Sequence, residues 1–127
     1  MIIVASVFVA LAAVLHGYIF LLESVWWTRP ATWKRFGVAS QADADTTRPM
    51  AYNQGFYNLF LGVGALIGLG LVLAGATDAG RALILFCTGA MVLAAVVLTT
   101  TGPGYGRAAL LQGTFPLIGF VLLVSFV

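Results

Sequence analysis

One histidine and one carboxylate stand inside otherwise apolar sequence. His16 interrupts the run from Ile2 to about Trp26 near its middle, and Glu23 follows seven positions later. Imidazole and carboxylate are the side chains most often used for general acid–base work. Seven positions is nearly two helical turns, so both groups share one face with their backbones about 10 Å apart. That is too far for an easy direct hydrogen bond, but the two could touch opposite ends of one ligand. A second polar group is Asn53, Gln54, Tyr57 and Asn58, whose i,i+4 pairs Asn53/Tyr57 and Gln54/Asn58 make a stripe across two turns. Gln112, followed by Thr114 and Pro116, and the run Thr99-Thr100-Thr101 complete the set. The chemistry within its reach is proton transfer by His16 and Glu23 on a ligand oriented by Asn53, Gln54, Tyr57, Asn58 and Gln112. Each residue also has a plainer reading. Amides and hydroxyls in membrane helices often join neighbouring helices, each pair contributing roughly 0.6 kcal/mol; Gln54 and the Thr run fit that role best. Glu23 could snorkel or pair with Arg29 or Arg107, and His16 could bond a backbone carbonyl in the core.

The elements that must position these groups are membrane helices. Of the 127 residues, 61% are hydrophobic and 8% charged, where a soluble chain carries about 25% charged residues; mean hydropathy is +1.06. A domain this small cannot hide so much apolar surface from water, so its solvent is largely lipid. This excludes a soluble enzyme domain, a disordered tail and a disulfide-framed secreted module. A net charge of +2 reflects scarce charge rather than a basic patch, so no nucleic-acid partner is expected. Cys87, the single cysteine, reads as a small packing residue.

A spanning helix needs about 20 mostly apolar residues. The chain offers four such runs, at about 2–26, 50–76, 81–101 and 107–127, with one longer loop over 27–49 and two short Gly-containing turns. Short turns make successive helices antiparallel neighbours. The expected fold is therefore an all-α membrane protein, a single domain forming an up-down bundle of four transmembrane helices. Pro49 is placed at or near the first turn of the second helix, and Thr32 to Phe36 is a short candidate for an interfacial segment. The first run lacks the basic start of a signal peptide and is too long for one. Arg29, Lys34, Arg35 and Arg48 in the first loop and Arg107 in the third put five of six cations on one face, with Arg81 on the other. The positive-inside rule makes that face cytoplasmic and both termini non-cytoplasmic. Trp26, Trp27 and Trp33 flank the same boundary.

With this topology the polar groups all fall in the cytoplasmic half of the bundle. An ionised group at the bilayer centre costs at least roughly 3 kcal/mol, so the polar faces are expected to turn inward and form one cavity, with His16 its deepest ionisable member. One histidine and one intramembrane carboxylate exclude an ordinary two-His or di-metal site. No Gly-x-Ser-x-Gly elbow is present, and Gly102-Pro103-Gly104-Tyr105-Gly106 lacks the Lys and Ser/Thr of a phosphate loop. Neither metal nor cofactor is expected. Gly64-x-x-x-Gly68 is a small-residue packing seam that could work within the chain or in a homodimer.

Several of these residues together resemble DUF1304, a family of small bacterial and fungal integral membrane proteins of unassigned biochemical function. The matching pieces are His16-x-Tyr18-Ile19-x-x-Leu22-Glu23, then Trp27 with Pro30, Phe36-Gly37, the block Asn53-Gln54-Gly55-x-Tyr57-Asn58-x-Phe60-Leu61, and Gln112-x-x-x-Pro116. The sequence departs from the family's Ala-Gly-x-Tyr-Gly pattern at the third turn. The resemblance implies a four-span membrane protein whose motif residues are the polar ones singled out above; the expected location is the bacterial cytoplasmic membrane, as a multi-pass protein.

The functional expectation is a pocket for a small, partly apolar molecule, reached from the inner leaflet or cytoplasm, with acid–base chemistry by His16 and Glu23. Membrane lipid or a small amphiphile is the expected partner. The rival classes are a small proton-coupled transporter using Glu23 and a structural or accessory subunit in which the amides are interhelical glue.

Overall fold

The computed structural model describes residues 2–125. The last two residues of the fourth predicted span lie outside the described residues, as does Met1. Helix α1 (Ile2–Phe20) runs on into a single π turn (Leu21–Val25). A short α2 (Pro30–Arg35) leads to α3 (Gln41–Leu73), α4 (Thr77–Thr99) and α5 (Gly106–Ser125), and there is no strand among the described residues. Four helical segments are long and apolar enough to cross a membrane: Ile2–Val25, Gln41–Leu73, Thr77–Thr99 and Gly106–Ser125. They pack as a four-cornered up-down bundle in which α1 lies between α3 and α5, and α4 completes the ring.

The bundle is small inside and large outside. Ala5, Val9, Ala12 and Ala13 of α1, Ala65 of α3, Cys87 and Met91 of α4 and Leu123 of α5 meet at the centre. Bulky apolar side chains such as Ile3, Leu73 and Phe86 face outward, at 76%, 88% and 71% exposure. Lipid is as apolar as leucine, so it is small residues that let helix backbones come close. The glycines of α3 serve this within the chain. A Cβ on Gly68 would lie 2.9 Å from the Gly80 carbonyl oxygen, and one on Gly64 would lie 2.7 Å from Cys87 Sγ. Both sites face α4, so the Gly64-x-x-x-Gly68 seam is occupied by the protein's own next helix.

Helix α3 is the departure from expectation. It has 33 residues, about 50 Å at 1.5 Å per residue, against a hydrocarbon core of about 30 Å. It begins at Ser40, whose side chain accepts from the Asp43 N–H at 3.1 Å and caps the helix. Pro49 therefore lies inside the helix rather than at its start. The preceding stretch holds its helical form because Thr46 and Thr47 donate back to the Ala42 and Asp43 carbonyls, and because other segments grip it. Trp27 Nε1 donates to the Ala44 carbonyl at 2.9 Å and Trp33 Nε1 to Gln41 Oε1 at 3.0 Å. Gln41 Nε2 donates in turn to the Thr28 carbonyl at 3.1 Å. Much of the predicted loop is thus folded: α2 and its flanks are strapped to an overhang of α3. The remaining reversals are tight. Gly75, at φ +90°, ends α3, and Gly104, at φ +97°, turns α4 into α5.

Candidate functional site

The site is organised by the π turn. Trp26 N–H reaches back five residues to the Leu21 carbonyl at 2.8 Å, which widens the helix for one turn and shifts the register of everything after Phe20. Glu23 lies within this widened turn, whereas His16 lies in the regular helix before it. Two contacts across α3 fix the turn. Glu23 Oε2 accepts from Asn58 Nδ2 at 2.9 Å, and Ser24 Oγ donates to the Tyr52 carbonyl at 2.7 Å. The helices can approach this closely because residue 55 is glycine. A Cβ there would overlap the Ser24 hydroxyl and stand 3.0 Å from Ser24 N.

Beside Glu23 a cavity of about 560 Å³ opens between α1 and α5, under α2 and the α4–α5 turn. Its polar lining is Glu23, Tyr18, Lys34, Arg35, Tyr105 and Gln112, and its apolar wall includes Leu15, Ile19, Leu22, Leu98 and Leu111. Small-molecule sites have this character: apolar walls, a few converging polar groups and volumes of roughly 300–1,000 Å³. Arg35 Nη1 donates to the Tyr18 hydroxyl at 2.9 Å, while Lys34 Nζ lies 5.6 Å from the centroid of the Trp33 ring. A second, almost wholly apolar groove of about 370 Å³ runs between α4 and α5, lined by residues such as Val92, Leu110 and Leu117.

Of the residues singled out in the sequence, Glu23 and Gln112 line the cavity together, and Asn58 stands behind Glu23 as its hydrogen-bond donor. His16 does not line it. Its ring is fully enclosed in the middle of the bundle. His16 Nδ1 lies 2.8 Å from the Ala12 carbonyl oxygen. A carbonyl only accepts, so Nδ1 carries a proton. His16 Nε2 is buried with no hydrogen-bond partner. Asn53, Gln54 and Tyr57 are on the exposed side of α3, away from the cavity. The Thr99, Thr100 and Thr101 hydroxyls donate to carbonyls three residues back in their own chain. Sequence reasoning read Lys34 and Arg35 only as topology signals and Tyr18 only as part of a motif. Their nearness to Glu23 follows from α2 folding back over the end of α1, which spacing along the chain does not reveal. Among the described residues no group of three His, Cys, Asp or Glu side chains could hold a metal ion.

The family described as "Protein of unknown function (DUF1304)" matches residues 10–124. The chain belongs to the DUF1304 family. No curated protein and no solved structure matches it. The region shared with DUF1304 contains every residue of the cavity, along with His16, Gly55 and Asn58. The geometry gives the block Asn53-Gln54-Gly55-x-Tyr57-Asn58 two physical tasks: Gly55 admits the π turn and Asn58 holds Glu23.

Proposed function

We propose that the protein is a multi-pass membrane protein that binds a small amphiphilic molecule at the α1–α5 cavity, with Glu23 as its proton donor or acceptor. In this reading the cations of α2 and its flanks favour the cytoplasmic face of a bacterial membrane for this end of the bundle, with both termini on the other side. The observation that carries the reading is Glu23 itself, a carboxylate held by an amide at the wall of a largely apolar cavity. A group so placed can take or give a proton to a bound molecule when it lies within hydrogen-bond reach. Gln112, which lines the same cavity from α5, orients the ligand. Asn53, Gln54 and Tyr57 contribute through α3 and Asn58 rather than by touching the ligand. His16 is the second ionisable group, enclosed within the bundle.

The test is native mass spectrometry and lipid extraction on protein purified in mild detergent, comparing wild type with Leu111→Trp, which fills the cavity. Wild type should retain a bound amphiphile that Leu111→Trp loses while staying folded. Equal retention by both proteins would remove the cavity from the reading. The same preparation separates the transport reading. Glu23→Gln in proteoliposomes should abolish pH-gradient-driven uptake of the identified molecule if the site carries it across, and should leave uptake undetectable in both proteins if it does not.

A further inference from the structure

The charge around the cavity is uneven. Lys34 and Arg35 both line it against one carboxylate, Glu23. Glu23 takes its hydrogen bond from the Asn58 amide. Arg35 donates to a neutral phenol, and Lys34 lies over an indole ring. The two cations thus face neutral neighbours at the edge of an apolar space, where a charge is stabilised most by an opposite charge brought to it. Their position along the bundle is equally informative. They sit on the last turn of α2 and share the cavity lining with Glu23 of the π turn. The apolar wall runs from Leu22 back to Leu15 along α1, about 10 Å toward the middle of the bundle. A molecule with a charged head at one end and an acyl-like chain at the other would lie there in the orientation it already has in a bilayer leaflet.

We infer that the cavity takes a single-chain amphiphile with an anionic head, phosphate or carboxylate, the head on Lys34 and Arg35 and the chain along Ile19 and Leu15. The inference rests on the ligand-binding reading above and adds the sign of the head and the direction of the chain. Tyr18 holds Arg35 toward the cavity and is a positioning residue. Arg29 and Arg48 belong to the same end of the bundle but line no part of the cavity, so they report attraction to anionic surfaces in general.

The experiment measures binding of chain-matched probes to the full-length protein in nanodiscs of neutral lipid: dodecyl phosphate, dodecanoate, dodecyl maltoside, dodecyltrimethylammonium and inorganic phosphate alone. The anionic amphiphiles should bind about tenfold or more tightly than the neutral and cationic ones, a gap typical of charge-assisted hydrogen bonds. Lys34→Gln/Arg35→Gln should erase that gap, and Arg29→Gln/Arg48→Gln should leave it within about twofold, as expected of exposed charges at a distance. Equal affinity for dodecyl phosphate and dodecyl maltoside overturns the anionic head while leaving the amphiphile site standing. A gap that survives Lys34→Gln/Arg35→Gln overturns the assignment of the head to those residues. Inorganic phosphate binding as tightly as dodecyl phosphate overturns the chain's part in binding. Failure of every amphiphile to bind overturns the ligand-binding reading itself. Tyr18→Phe gives an independent check, because it keeps both charges but frees Arg35, and it should narrow the gap without closing it.

Discussion

Asn58 Nδ2 donates to Glu23 Oε2 at 2.9 Å, joining two helices through residues thirty-five positions apart. The same amide nitrogen lies 3.1 Å from the Gln54 carbonyl in its own helix, so its orientation is set from both sides. A carboxylate held this way has a fixed direction, and the cavity wall is built around it.

That bond separates stability from function at position 23. Glu23→Gln keeps an oxygen to accept from Asn58, so thermal unfolding in detergent should stay within about 0.5 kcal/mol of wild type. Asn58→Leu removes the donor and should lower stability by roughly 0.6–2 kcal/mol, the range for interhelical hydrogen bonds in membranes. If Glu23→Gln unfolds as readily as Asn58→Leu, the carboxylate contributes through charge and not through this hydrogen bond.

Gly55→Ala should be among the most damaging single-methyl additions in the chain. Its Cβ meets the hydroxyl and the backbone nitrogen of Ser24, and backbone cannot step aside. Overpacking of this kind costs typically 1–3 kcal/mol. Ser24→Gly in the same protein should recover part of the loss, since it removes the hydroxyl but not the nitrogen. A melting curve for Gly55→Ala that overlays wild type would mean that residue 55 does not limit the approach of the π turn to α3.

Two glycines of α3 make an internal comparison. Gly70 has open space where a Cβ would go, whereas at Gly68 it would press on Ile84 and the Gly80 backbone. Gly70→Ala should be neutral or stabilising by up to about 1 kcal/mol from helix propensity. Gly68→Ala should be destabilising by about 1–3 kcal/mol. The opposite signs are the test, read from paired unfolding transitions.

His16→Leu should be at least as stable as wild type. Replacing a buried polar atom that has no partner by an apolar group of similar size is nearly neutral or favourable. A loss above about 2 kcal/mol would show that Nε2 has a partner in the membrane. Whether the substitution also stops ligand turnover measures what the imidazole does beyond packing.

Most of the fold was legible because the decisive signals were local. Four long apolar runs and the glycines between them are each read within a short stretch. The overhang of α3 was not legible. Pro49 resembles a helix start, and only the Ser40 cap and the grip of Trp27 and Trp33 explain why the helix begins nine positions earlier. The site was half legible. Glu23, Asn58 and Gln112 stood out because polar groups are costly in lipid. His16 and Glu23 were placed on one face by an ideal helical period, and the π turn between them changes that period without any proline or glycine to announce it. Asn53, Gln54 and Tyr57 look equivalent to Asn58 in sequence, but the rotation of α3, set by the close fit at Gly55, turns Asn58 toward Glu23 and leaves those three exposed.

The strap of indole and amide hydrogen bonds that binds α2 to the overhang of α3 bears on how any guest would exchange. These bonds at Ala44, Gln41 and Thr28 hold the segment above the cavity to α3, while the cavity's long sides are α1 and α5, so a guest drawn from the membrane would enter sideways, between those two helices. Under the ligand-binding proposal, occupancy then follows the mole fraction of the guest within one leaflet rather than its concentration in water. Exchange becomes a two-dimensional diffusion problem, sensitive to bilayer composition and chain order.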